Sequence, residues 1–215
     1  MSGPVTELVL PMVVRIERVD PPARTDALEA AARGVLVMLT TTDPRWAEAV
    51  ARWDGQRIRK VVRRARGVQW RRAGALGGIA VTHRTAQLRV YAPIPIDGWP
   101  AELARLQVGG TELEDPREPP NPTPAEPLIL LTPHLEMSAG KSMAQAAHAA
   151  QLGWRASSPL ARQGWQASGF ALAVRRASPA QWASALGGGA AVVHDGGFTE
   201  VEPDSQTALF IAARD

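Results

Sequence analysis

Lys141, Gln145 and His148 are spaced i, i+4 and i+7, so in a helix they share one face. Gly140 precedes them where that helix would begin. A helix N-terminus has unpaired amide N–H groups, and beside a cation it favours an anion. The chain holds 22 Arg and only 2 Lys, so ordinary surface use accounts poorly for Lys141. A second segment, Val193-His194-Asp195-Gly196-Gly197-Phe198-Thr199, ends an apolar strand in an aspartate and two glycines. Glycines there allow a positive φ or close backbone approach, and α/β sheets gather ligands at such strand ends. Each segment also has a plainer reading. The first could be a solvated polar stripe, the second a β-turn opened by Asp. The absence of Cys excludes disulfides and thiol catalysis. The four histidines, His83, His134, His148 and His194, lack metal-ligand spacing, so no metal or other cofactor is expected.

These residues need elements to position them. Leu128–Leu131 reads as a short apolar strand, and about Gly140–Ala156 as a helix rich in Ala, Gln, Met and Leu. Ser157-Ser158-Pro159 opens a second helix to about Ala167, and Phe170–Val174 reads as a buried strand. Ser178-Pro179 is an N-cap followed by Pro at the first helical position; that helix stops at Gly187-Gly188-Gly189. Ala190–Val193 and Gln206–Ala212 complete the strands. The first half offers strand Leu8–Ile16, helix Thr25–Leu39 and a helix opened by Asp43-Pro44. Strands Ile58–Val62, Ile79–Val81 and Leu88–Tyr91 follow. Between the halves, residues 115–127 carry six prolines in thirteen positions, which excludes helix interior and central strand and predicts an extended linker.

The halves also resemble each other. Val62-Arg63-Arg64-Ala65 precedes Gln69-Trp70, and Val174-Arg175-Arg176-Ala177 precedes Gln181-Trp182, at a constant offset of 112. After a one-residue slip, Gly77–His83 lies on Gly188–His194, and upstream Leu8-Val9-Leu10 parallels Leu128-Ile129-Leu130. One order of elements fits both halves, which points to a duplicated domain.

Together the two segments are specific. Met137, Gly140-Lys141, Ala144-Gln145 and His148-Ala149, then Asp195, Gly197, Thr199, Pro203, Ser205 and Thr207, resemble the signature of the archaeal/eukaryotic-type (second-class) peptidyl-tRNA hydrolases. The resemblance covers about 128–215, nearly a whole family domain. The family fold is a four-stranded mixed sheet between helices. The fold expected is therefore α/β, with two tandem similar domains, each a small four-stranded mixed sheet covered by helices. Residues 1–114 would form an Arg-rich copy without the site, and 128–215 the catalytic copy. The activity implied is hydrolysis of the ester joining a peptide to the terminal ribose of tRNA. Without a thiol or a metal-ligand set, that hydrolysis needs a positioned water, a proton acceptor and charge stabilisation. The resemblance makes Asp195 the group that orients or deprotonates water. Lys141 stabilises the oxyanion or a phosphate, and Gln145 and Thr199 hold the ester or the water. Gly140, His148, Ser205 and Thr207 fall on the substrate side, although the residues themselves favour a structural role for His148, four residues before Leu152 on the helix. There are departures. Thr132-Pro133-His134 replaces the usual strand Arg and the Asp before the Met, Gly196 replaces an Ala, and Asp204 replaces a Gly.

The charge lies elsewhere. Net charge is +3 and the pI about 10.1. Residues 1–114 hold 17 basic and 12 acidic residues, whereas 127–215 hold 6 of each. Arg57, Arg59, Lys60, Arg63, Arg64, Arg66, Arg71 and Arg72 form an acid-free run with Trp70, which suits an RNA backbone, with Arg63, Arg64 and Arg66 as the expected tRNA contacts. An Arg-rich solvated face is the plainer reading. This half has Pro22-Ala23-Arg24-Thr25 in place of the Gly-Lys, and Arg84 after His83 where the other copy has Asp195. The expected partner is tRNA, with an internal pseudo-dimer or a homodimer. No apolar run reaches the roughly 20 residues of a spanning helix, and Met1–Leu10 lacks the pattern of a signal peptide, so no membrane association and a cytoplasmic location are expected. The alternatives are a non-catalytic RNA-binding or regulatory protein and a small-molecule hydrolase or binding module on the same fold.

Overall fold

The structure is a computed structural model that describes residues 6–56 and 58–213; Met1–Val5, where the leader reading begins, and Arg57 of the basic run lie outside it. The first half runs β1 (Leu8–Arg15), α1 (Arg24–Leu39), α2 (Pro44–Asp54), β2 (Arg59–Ala65), α3 (Gly67–Gly74), β3 (Ile79–His83), β4 (Ala86–Val90), β5 (Ile94–Pro95) and α4 (Ala101–Ala104). The second runs β6 (Leu128–Leu131), α5 (Ala139–Ala156), α6 (Pro159–Ala167), β7 (Ala173–Arg176), α7 (Pro179–Gly187), β8 (Ala191–His194) and β9 (Gln206–Ile211). The first sheet has the order β2-β1-β4-β3, with β5 added to β1; the second has the order β7-β6-β9-β8. In each, the first two strands pair in parallel and the hairpin of the last two pairs antiparallel. The chain is thus two tandem domains of one topology.

The helix starts follow local chemistry. Asp43, Ser158 and Ser178 cap helices whose first residue is Pro, and Ser178 and Gln181 form a reciprocal capping box. The sequence missed α3, β5 and α4. α3 is Arg-rich and short, and Gly67 with φ +48 turns the chain into it. The buried strand expected at Phe170–Val174 forms three residues later, because Phe170 itself has φ +59 and packs on Trp165.

Strand alternation separates the two faces of each sheet. Leu10, Met12 and Val14 of β1, with Ile129 and Leu131 of β6, face one shared core, while Val13 and Leu130 face small outer clusters under α3–α4 and α7. α1 lies on β3 and β4, α5 lies on β6, β8 and β9, and the two helices pack on each other. Each also reaches across, α1 to β7 and α5 to β2. The principal core is therefore common to both halves. Residues 115–127 form neither helix nor strand, yet they are docked. Asp115 accepts from Thr25 N at 2.8 Å and Thr25 Oγ1 at 2.7 Å at the start of α1.

The strand registers correct two of the sequence alignments. Met12 and Ile129 occupy the same place, since they pair with Val62 and Val174; the Leu8-Val9-Leu10 match was three residues out. Ile79 and Ala191 likewise pair with Val90 and Phe210, so the offset of 112 continues without the slip. His83, not Arg84, stands where Asp195 stands.

Candidate active site

Asp195 follows β8 directly. A register shift between Val193 and His194 aims the chain end towards α5. Three contacts close the loop behind it. Asp195 N donates to Ser205 O at 2.9 Å, Asp204 N donates to Asp195 O at 2.7 Å, and Gly197 N donates to Asp195 Oδ1 at 2.8 Å. Gly197 has φ +70, and a Cβ there would lie 2.5 Å from Pro203, so this loop needs glycine on both counts.

Asp195 Oδ2 accepts from Lys141 Nζ at 2.6 Å and from Gln145 Nε2 at 2.7 Å. Lys141 Nζ also donates to Thr199 Oγ1 at 3.1 Å. Beneath them Thr207 Oγ1 donates to Gln145 Oε1 at 2.6 Å, which fixes the amide so that its N–H groups face Asp195. An ammonium has three donors and Lys141 has committed two; a carboxylate has about four lone-pair sites and Asp195 has filled three. Among the described residues one N–H of Lys141 and one lone pair of Asp195 Oδ1 have no partner, and each side chain is 9% exposed. A water and a carbonyl oxygen are what such a pair can hold.

The structure brings together Lys141, Gln145, Asp195, Thr199 and Thr207, and it changes how several are used. Thr207 is fully buried and Gln145 nearly so, with both ends of the amide engaged. Both hold Asp195 from beneath, and Thr207, closed to solvent, has no surface for the substrate contact expected of it. The Gly140 N–H is not open to an anion; it donates to Thr111 Oγ1 of the first half at 2.9 Å. Ser205 Oγ turns into its own loop and donates to Glu202 O at 2.7 Å. His148 Nδ1 meets Lys60 Nζ of β2 at 3.1 Å, so it belongs to the seam between the halves. Burial first, then the charges of Lys60, Lys141 and Arg155, hold its pKa well below the usual histidine value.

The expected tRNA contacts sit elsewhere. Arg63 donates to Ala104 O and Leu106 O and lies 4.3 Å over Trp99, and Arg64 donates to Gly109 O and Gln107, so both tie α4 and its flank to β2. Arg66 precedes α3. Arg63 and Arg64 lie in the second half of β2 and Arg66 just beyond it, roughly 13 to 23 Å along the chain from Arg59 at about 3.3 Å per residue.

Other residues prove structural to the site. Ser138 caps α5 by accepting from Lys141 N at 3.1 Å, and Glu200 accepts from Ser138 N and Oγ at 2.8 and 2.7 Å. A Ser three residues before Lys141 is a readable cap; Glu200 carries no such signal. Arg24 Nη2 donates to Met137 O at 3.2 Å and Ser142 Oγ at 2.8 Å, so the first half clamps the start of α5. A cavity of about 720 Å³ at this seam is walled by Arg24, Asp115, Glu136, Ser138, Arg175 and Arg176.

The equivalent place in the first half has the opposite polarity. There the helix supplies Asp26 and Glu29, and the strand end supplies His83, whose Nε2 meets Glu29 Oε2 at 2.7 Å. Their ligand atoms lie within 4.8 Å of one another, as a metal would need. Cations already occupy the surroundings: Arg175 Nη1 is 2.8 Å from Glu29 Oε1, and Arg84 Nη1 is 3.5 Å from Asp26. Burial pushes the Glu29 carboxyl up, but hydrogen bonds from His83, Arg175 and Val174 N outweigh it and hold the pKa low. Glu29 thus fastens α1 to β7 of the other half.

No protein-family model matches the chain, and no curated protein matches it significantly. Among the described residues no helix is long and apolar enough to cross a membrane.

Proposed function

We propose that this protein hydrolyses the ester of peptidyl-tRNA and that residues 128–215 carry the reaction. The observation behind this reading is the Lys141–Asp195 pair, with one donor and one acceptor site free, in the sequence pattern that resembles second-class peptidyl-tRNA hydrolases. Asp195 accepts a proton as a water oxygen bonds to the carbonyl carbon. The free N–H of Lys141 faces the carbonyl oxygen as it becomes an oxyanion. The bond to the ribose oxygen then breaks, and that oxygen takes the proton from Asp195. The products are a peptide carboxylic acid and a ribose hydroxyl. Thr199 holds Lys141, while Gln145 and Thr207 hold Asp195.

The test is release of free tRNA from N-acetyl-aminoacyl-tRNA by the purified protein, by Lys141→Ala and by Asp195→Asn. Release by the wild type that falls by about 10²-fold or more in both variants is expected. No release by the wild type, with a retained gel shift of tRNA, would instead favour the binding-only alternative.

A further inference from the structure

Phe198 is 60% exposed, the one exposed Phe, Trp or Tyr among the described residues. It adjoins Thr199, which touches Lys141, so the ring stands at the rim of the site. Arg59 of the first half places its guanidinium carbon 3.8 Å from the ring centroid, and Glu7 holds that guanidinium at 3.1 Å. Gly196 makes room for the arrangement, since a Cβ there would lie 2.7 Å from Phe198 Cε2. The departure from Ala at 196 and the ring at 198 are therefore one feature. The loop around them is pinned at Asp195, Gly197 and Glu200, so the ring is held in place rather than swept through solvent.

We propose that Phe198, backed by Arg59, is a stacking platform for the unpaired nucleobase next to the scissile ester; this rests on the peptidyl-tRNA reading. Arg59 covers one face of the ring, and with the residue 60% exposed part of the ring stays open to a planar partner. A nucleobase is the flat group that gains most there, because stacking needs no hydrogen-bond match and every base has a π face. The first half then serves the site through Arg59, at the near end of β2, rather than through Arg63, Arg64 or Arg66.

The probe is a short single-stranded RNA whose 3′-terminal base is 2-aminopurine, whose fluorescence falls on stacking. Wild-type protein should quench it. Phe198→Ala and Phe198→Leu should abolish the quench and weaken binding roughly ten-fold, and Phe198→Trp should restore both. Arg59→Met should weaken binding without abolishing the quench. Equal quenching by wild type and Phe198→Ala, or none by wild type, overturns the platform. A second measurement uses one N-acetyl amino acid esterified to adenosine or to ethanol. Phe198→Ala should lower kcat/KM for the adenosine ester alone; equal losses on both would assign Phe198 to the acyl group and overturn the proposal. Turnover of peptidyl-tRNA with Phe198-independent quenching rejects the platform alone. Phe198-dependent quenching without turnover rejects the hydrolytic reading and supports the platform.

Discussion

Lys141 Nζ and Asp195 Oδ2 meet at 2.6 Å, one from the first turn of α5 and the other from the end of β8. A nearly buried pair of this kind acts as a unit, because removing one partner leaves the other charged and uncompensated. Lys141→Ala and Asp195→Asn should each remove most of the hydrolytic rate, and the double variant should fall less than about ten-fold below the worse single one. Single-turnover hydrolysis of peptidyl-tRNA by the three variants measures this. Losses that multiply would show two independent contributions.

Thr207 tests the support beneath that pair. Its hydroxyl donates to Gln145 Oε1 in a site closed to water. Thr207→Val keeps the shape but orphans a buried amide oxygen, which should lower stability by about 1–3 kcal/mol. The amide also loses its fixed orientation towards Asp195, so kcat should fall while KM changes little. Thr207→Ser should recover both. Urea denaturation and steady-state kinetics on the same preparations separate the two effects.

The residues of this site were legible because the sequence pattern is local. A Gly-Lys and an Ala-Gln fall within two turns of one helix, and Asp195 to Thr207 within one loop and strand start. The fold was legible for the same reason, since capped helices and apolar strands repeat in one order. What sequence could not supply was direction across the seam. The positions of Lys60, Glu29 and Arg59 depend on how α1 and α5 pack, and that packing joins residues 91 to 145 positions apart. The basic run suggested an RNA grip because charge was visible while its partners were not. Arg63 and Arg64 turned out to bond the backbone around α4.

The seam gives the protein a pH dependence. Lys60 Nζ lies 3.1 Å from His148 Nδ1 and donates to Gln151 Oε1 at 2.6 Å. Burial first, and then Arg155, hold the Lys60 pKa well below 10.5, with Asp54 opposing; His148 is held well below 6.5. In both cases the unfolded chain binds more protons than the folded one between the two pKa values. Stability therefore rises with pH across each window. It should fall as pH drops below about 6.5, where unfolded His148 takes up a proton, and should still rise towards pH 10.5 through Lys60. Thermal melts across this range should show that slope, and His148→Gln should flatten its acid side. A slope unchanged in His148→Gln would assign the acid loss to other groups.

Glu29 is where the first half holds the second. One carboxylate accepts from His83 of its own half and from Val174 N and Arg175 Nη1 of the other, at 2.7, 3.2 and 2.8 Å. With the principal core shared, the two halves should unfold in one transition. Glu29→Ala strands a buried amide and a guanidinium at once, so it should cost about 3–5 kcal/mol. Glu29→Gln keeps the shape and one acceptor, and should cost less. Because β7 is the edge strand beside β6, loosening it should also disturb the sheet that carries Asp195. Denaturant unfolding followed by tryptophan fluorescence, alongside hydrolysis of peptidyl-tRNA, reads both consequences. Two separate transitions in the wild type, or Glu29→Ala with wild-type stability, would show that the halves stand independently and that this contact is incidental.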